Sequence, residues 1–315
     1  MNPHSTGHQA FADAVQHVAF GPVSEFQNLS IVPLLSATER DVEYLTLDEA
    51  LAGGWAQITE VSDAGQVSEL KVVVNGDRPV LLVDGEELVG AKQNRVLNLT
   101  ILAPASSTTS IPVSCVESGR WQHHSAAFAS APRAQFAEGR AARVSQVTNS
   151  LVDAGHRRSN QSAVWSLIEE KSARFSVASP TSAMSAVFDK VGASLDEFVA
   201  AFPPVEHQVG AVFLIHGQPV GLELFDAAST WRKLSPKLVR SYAVDAMDRR
   251  DGERVQPADR DLPHAFASAV ASSPTAAFAA VGEGEDVRLT GGALAGAALV
   301  ARGRAVHVSA FPHRG

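Results

Sequence analysis

Lys92, Gln93, Asn94 and Arg95 form a polar run between two apolar stretches. Two cations so close together suit a phosphate, and the planar fork of Arg binds two oxygens at once. Lys92 and Arg95 are therefore the candidate clamp. Gln93, Asn94 and Asn98 carry amides that can bond a ribose or a base edge. The plainer reading is that these residues cap strand ends and satisfy backbone groups.

A second cluster follows at Cys115, Glu117, Arg120 and Trp121. Glu117 is the stronger acid/base candidate, with Arg120 beside it to keep it ionised. Cys115 is a nucleophile only with a depressed pKa; among Ile111 and Val113 it reads more plainly as a small core hydrophobe. Trp121 can stack on a base or pack. Glu86 and Glu87 follow a turn at Gly85, and strand alternation puts them on opposite faces, so one at most lines a given site. Glu87 is carried forward as the second acid/base candidate. His123-His124 are adjacent, a poor spacing for two ligands of one metal. No metal site is assigned and the cofactor stays unknown. Neither a phosphate-cradling Gly-rich loop nor a Gly-x-Ser-x-Gly elbow is found.

Composition bounds the rest. The chain has 315 residues, 45% hydrophobic and 19% charged, with a formal net charge of −8. That is globular composition, and the acidic balance argues against a nucleic-acid binder. A single cysteine allows no intrachain disulfide. The N-terminus lacks the basic start and apolar stretch of a secretory signal, and no run spans a membrane. The expectation is a cytoplasmic protein with no membrane partner and a tail of about 17 residues that frays. Homo-oligomerisation is left open.

The elements that must position these residues begin with strands. Asn28–Leu35, Trp55–Val61, Val67–Val74, Val80–Val83, Arg95–Leu102 and Ile111–Glu117 read as β, with a turn at Asp63-Ala-Gly65 and a hairpin at Asp84-Gly85. Along Arg95–Leu102 the alternation puts Asn94, Val96, Asn98 and Thr100 on one face. Thr46-Leu-Asp-Glu49 is a capping box that opens a short helix. Residues 122–204 read as a helical, Arg-rich insert, with helices at Asn160–Phe175, at Thr181–Val191 and from a capping box at Ser194-Leu-Asp-Glu197. Ser125–Gly155 reads as helix or loop. From 120 to 174 there are eight basic and four acidic residues. The functional reading of this bias is a lid over an anionic ligand; the plainer one is a solvated face. Residues 205–315 return to strands, with a hairpin around His216-Gly217 and a helix over Thr230–Arg250 that Pro236 breaks or kinks. Val80–Gly90 and Val212–Gly221 echo each other, as tight hairpins or as an internal duplication. The predicted fold is α+β, with antiparallel or mixed sheets in one large domain over 18–315: a β-rich part 18–121, the insert, and a second β-containing part 205–315.

Two segments carry a resemblance. Gly85-Glu-Glu-Leu-Val-Gly-Ala-Lys-Gln-Asn-Arg-Val-Leu-Asn98 and Ile111-Pro-Val-Ser-Cys-Val-Glu-Ser-Gly-Arg-Trp121 resemble the ARG and rhodanese-phosphatase superfamily-associated protein domain. Asn28–Leu34, Ser241-Tyr242 and Val306-His307 agree with it. The family is largely without measured activity. Its association with ADP-ribosylglycohydrolase-type and phosphatase-type proteins implies a role in processing NAD-derived ADP-ribose compounds.

The function expected is thus an enzyme acting on a phosphorylated nucleotide or ADP-ribose compound, by hydrolysis or phosphate transfer. Glu117, Glu87 and Cys115 are its catalytic candidates. Lys92, Gln93, Asn94, Arg95, Asn98, Arg120 and Trp121 are its binding candidates. The alternative is a non-catalytic nucleotide-binding or protein-interaction module.

Overall fold

The computed structural model describes residues 6–62, 65–122, 125–249 and 261–313. The expected turn residues Asp63 and Ala64, the pair His123-His124 and the end of the Thr230–Arg250 helix lie outside them. In chain order the elements are α1 (Thr6–Gln16), β1 (Ala19–Phe20), β2 (Ser24–Phe26), β3 (Leu29–Leu35), β4 (Leu45–Thr46), α2 (Leu47–Ala52), β5 (Ala56–Glu60), β6 (Glu69–Val74), β7 (Val80–Leu82) and β8 (Glu86–Gly90). Next come β9 (Arg95–Leu97), β10 (Ile101–Ala103), β11 (Ser107–Cys115), β12 (Phe128–Ala134), α3 (Ala137–Ala154), α4 (Gln161–Arg174), α5 (Ser185–Lys190) and α6 (Gly192–Ala201). The chain ends with β13 (Gln208–Ile215), β14 (Gln218–Phe225), α7 (Ala228–Asp248), α8 (Asp261–Ala271), β15 (Thr275–Ala279), β16 (Glu285–Leu289), β17 (Leu294–Ala301) and β18 (Arg304–Pro312). Helices and mostly antiparallel sheets make this an α+β protein.

Instead of gathering into one domain over 18–315, the contacts divide into two compact units. The first holds Met1–Val42, Asp196–Ala280 and Gly284–Gly315. Its nine-stranded sheet runs β1-β3-β13-β14-β18-β17-β16-β15, with β2 added on β3. β13 is buried along its whole length, and its apolar residues face both ways. Val212 and Leu214 meet Phe11 and Val15 of α1 and Phe266 and Val270 of α8. Phe213 faces the other way and stacks on Tyr242 of α7, centroids 3.8 Å apart. The expected N-terminal tail is therefore a helix over its described residues. Phe11 is fully buried, which is worth ~2 kcal/mol of transfer free energy. Pro236 does not break the helix expected there, since α7 runs through it. Interior proline costs ~3 kcal/mol. Burial of Trp231, Leu234, Leu238 and Tyr242 against the sheet offsets that.

The second unit holds Glu43–Leu195 and Val281–Glu283. Its centre is a closed barrel in the order β11-β6-β5-β12-β8-β9, beside a three-stranded sheet β10-β7-β4. The capping box forms as read, with the Thr46 side chain and Glu49 satisfying each other's backbone N–H at the start of α2. At Asp84-Gly85 the chain makes no hairpin: β7 pairs with β10 and β4, while β8 pairs with β9 and β12. The turn moves the chain from one sheet to the other, so the echo with the true hairpin β13–β14 is not structural. Gly85 has φ +83°, and a Cβ there would sit 2.8 Å from Arg140 Cδ. Arg95–Leu102 likewise splits into β9 and β10 in different sheets. The expected alternation nevertheless carries across the break: Leu97, Leu99 and Ile101 share one buried core, and Asn98 bonds Ser114, the strand partner of Val96.

The helical insert also takes another form. Residues 128–134 are β12, a wall of the barrel, bulged between Ser130 and Ala134 where Pro132 lies. Of the arginines expected on a lid, Arg140 and Arg143 are buried, Arg133 is partly buried and paired, and Arg158 and Arg174 are exposed. Arg133 bonds Glu87 and Asp189, and Arg140 holds Asp84 through two hydrogen bonds of 3.2 and 2.9 Å. Arg143, 3.5 Å from Asp84, is brought down to about 10 by burial. The last helix of the segment starts at Gly192, so Ser194 lies inside it and does not cap it.

Candidate functional site

The two motifs meet in space. β9 pairs with β11, with Leu97 opposite Val113 and Arg95 opposite Cys115. Strand parity then sorts the side chains. Ala56 and Ile58 of β5, Leu97 of β9, and Ile111 and Val113 of β11 all belong to one buried core. Glu60, Arg95 and Cys115 are each two residues beyond a member of that set. They continue the inward face and line one end of the barrel.

Arg95 is fully buried. Its Nη1 donates to Gln93 Oε1 at 2.9 Å. Its Nε and Nη2 have no hydrogen-bond partner. Burial lowers the guanidinium from its ordinary value, opposed by the charges of Cys115 and Glu60. The Trp121 ring closes over this place, 5.7 Å from Arg95 Cζ and 5.3 Å from Lys92 Nζ. Its indole is 45% exposed, so the site has an aromatic cover facing solvent.

Sequence reasoning missed Glu60. Strand order puts β5 opposite β9, with two strands between them in either direction. Glu60 is buried, and neither carboxylate oxygen has a hydrogen-bond partner. A Cβ on Gly65 would be 3.4 Å from both Glu60 Oε2 and Lys92 Nζ, which places the two charged heads around one spot. The signal was available: Ala56, Ile58 and Glu60 share a parity, so a carboxylate sat on an apolar face.

The remaining candidates form a network beside the mouth. Glu117 Oε2 accepts from the Asn94 backbone at 3.1 Å and from Arg120 Nε at 2.9 Å, and Oε1 accepts from Thr181 at 2.8 Å. Burial pushes its carboxyl up, but these donors together hold it below its ordinary value. Arg120 also donates to Ala91 O at 2.8 Å and Asn94 Oδ1 at 2.9 Å. Gln93 Nε2 donates to Glu117 O at 3.0 Å, so Gln93 ties this network to Arg95. Glu87 accepts from Arg133 and from Asn94 Nδ2, and burial raises it against the pull of Arg133. Burial pushes the Cys115 thiol up, and Gln161 clamps both backbone groups of Cys115 at 2.8 Å. Asn98 stands apart, bonded to Ser114 and to Arg157 O.

With this geometry in view, comparison with known families is decisive. The model of the ARG and Rhodanese-Phosphatase-superfamily-associated Protein domain matches residues 17–311. The chain belongs to this family. The match takes in both motifs and both compact units. No curated protein and no solved structure matches the chain.

The first unit holds two other polar features. Tyr242 donates to Glu223 Oε1 at 2.8 Å, and His307 Nε2 lies 3.1 Å from Glu223 Oε2, all three buried. A separate cleft of about 560 Å³ is lined by Asp13, His17, Arg40, Asp226 and Arg304 among others. No motif residue borders it. The barrel mouth is the better candidate because the two motifs meet there around Arg95 and Glu60, both buried with polar atoms unsatisfied. Among the described residues no helix is long and apolar enough to cross a membrane.

Proposed function

We propose that the barrel mouth of the second unit binds a small phosphorylated ligand of the nucleotide type, NAD-derived ADP-ribose compounds included. The observation that carries this reading is Arg95, a buried guanidinium with two N–H groups that nothing satisfies. A phosphate supplies the acceptors, and Lys92 supplies a second charge. Trp121 offers an outer face for a base. Mouths of β-barrels are common ligand sites.

Binding is better supported than catalysis by the motif carboxylates. The lone pairs of Glu117 are engaged by Arg120, Thr181 and Asn94. The thiol of Cys115 is held away from the thiolate. Both residues build the mouth in this reading. A cytoplasmic setting suits it, since phosphorylated nucleotides are plentiful there.

Thermal denaturation of the purified protein with ADP-ribose, its phosphorylated forms and NAD tests this. A ligand at a hundred times its Kd adds ~2.7 kcal/mol. One of these compounds should raise the midpoint with dose, and Arg95→Ala and Lys92→Ala should each remove the rise. A flat response at millimolar concentration would overturn the reading.

A further inference from the structure

We infer that Glu60 is the second recognition group of the mouth, and that the ligand presents a vicinal diol, as in a ribosyl phosphate. This rests on the phosphate reading above. Arg95 asks for an acceptor and the facing Glu60 asks for a donor, since neither of its oxygens is bonded. Both residues are more than nine-tenths buried, so leaving these groups unmet is costly. A molecule that satisfies both carries an anion at one end and hydroxyls at the other. Two adjacent O–H groups match the two oxygens of one carboxylate. Size points the same way. Eight strands leave an interior that side chains just fill, and this barrel has six. Only a small group therefore fits between Glu60 and Arg95, and a base stays outside against Trp121.

Calorimetric titration of the full chain with inorganic phosphate, ribose 5-phosphate, 2-deoxyribose 5-phosphate and phosphoethanolamine tests this. Ribose 5-phosphate should bind about ten-fold or more tighter than its deoxy analogue. In Glu60→Gln that ratio should fall to within about two-fold, while the affinity for inorganic phosphate does not fall. The wild-type ratio decides the matter even if the variant fails to fold. Equal binding of the two sugars would overturn the diol and leave the phosphate reading standing. Tighter binding of phosphoethanolamine, lost in Glu60→Gln, would replace the diol by an ammonium group. If none of the four binds, the phosphate reading itself fails.

Discussion

Glu60 and Arg95 project into one six-stranded barrel from opposite walls, both buried, and each keeps polar atoms that no described protein group satisfies. Most of the motif residues around them are fully engaged with one another. Glu117, Arg120, Asn94 and Gln93 thus serve as a frame, and the proposed ligand site lies at the groups left unmet.

That frame has a measurable strength. The Arg120–Glu117 pair is 2.7 Å apart, with side-chain exposures of 14% and 8%. Removing one member of a buried pair costs ~3 kcal/mol or more. Arg120→Ala should lose about that much in urea denaturation at neutral pH. A loss below ~1 kcal/mol would mean the pair is as weak as a surface one.

Glu117 and Glu87 should give opposite pH signatures. Glu117 is held below the ordinary 4.5, so its stabilisation is present above that value and fades as pH falls through the lower folded one. Glu87 is raised above 4.5, so the fold favours its neutral form and stability declines as pH rises from 4.5 through the folded value. Denaturation curves at several pH values should show the deficit of Glu117→Gln shrinking in acid. Glu87→Gln should improve relative to wild type as pH rises. The same trend in both variants would refute the assignment.

Cys115 is buried and its thiol is pushed up. A thiol reagent should therefore label the native protein far more slowly than the protein in denaturant. Labelling at comparable rates would show that Cys115 is reachable and reactive.

Gly221 supports the Tyr242–Glu223–His307 cluster by leaving room, since a Cβ there would lie 2.2 Å from Tyr242 Oη. Tyr242→Phe should cost ~1.5–3 kcal/mol, the loss of a donor to a buried carboxylate. Gly221→Ala should cost more, because it moves the ring out of its stack with Phe213 as well. A milder effect for Gly221→Ala would show that the ring shifts freely.

The capping box gives a smaller prediction. Thr46→Ala should destabilise the protein by ~1 kcal/mol. No change in the denaturation midpoint would mean that tertiary contacts alone hold α2.

The amino-acid order by itself determined whatever depends on a few neighbouring residues. The runs of β3 and β13 are apolar, and the Thr46–Glu49 box has its partners three residues apart. Lys92 to Arg95 and Glu117 to Arg120 stood out as polar groups in apolar surroundings. β12 was not legible, because Phe-Ala-Ser-Ala-Pro-Arg-Ala carries little strand propensity and is held by β5 and β8. The split of Arg95–Leu102 was hidden too, since β9 and β10 separate only when each finds a different sheet. α1 needed Phe11 and Val15 to meet the distant α8. Glu60 showed its parity in the sequence, but what it faces was set by barrel closure. Local periodicity follows from covalent geometry. Which faces meet follows from the free energy of burying them together, and that belongs to the whole chain.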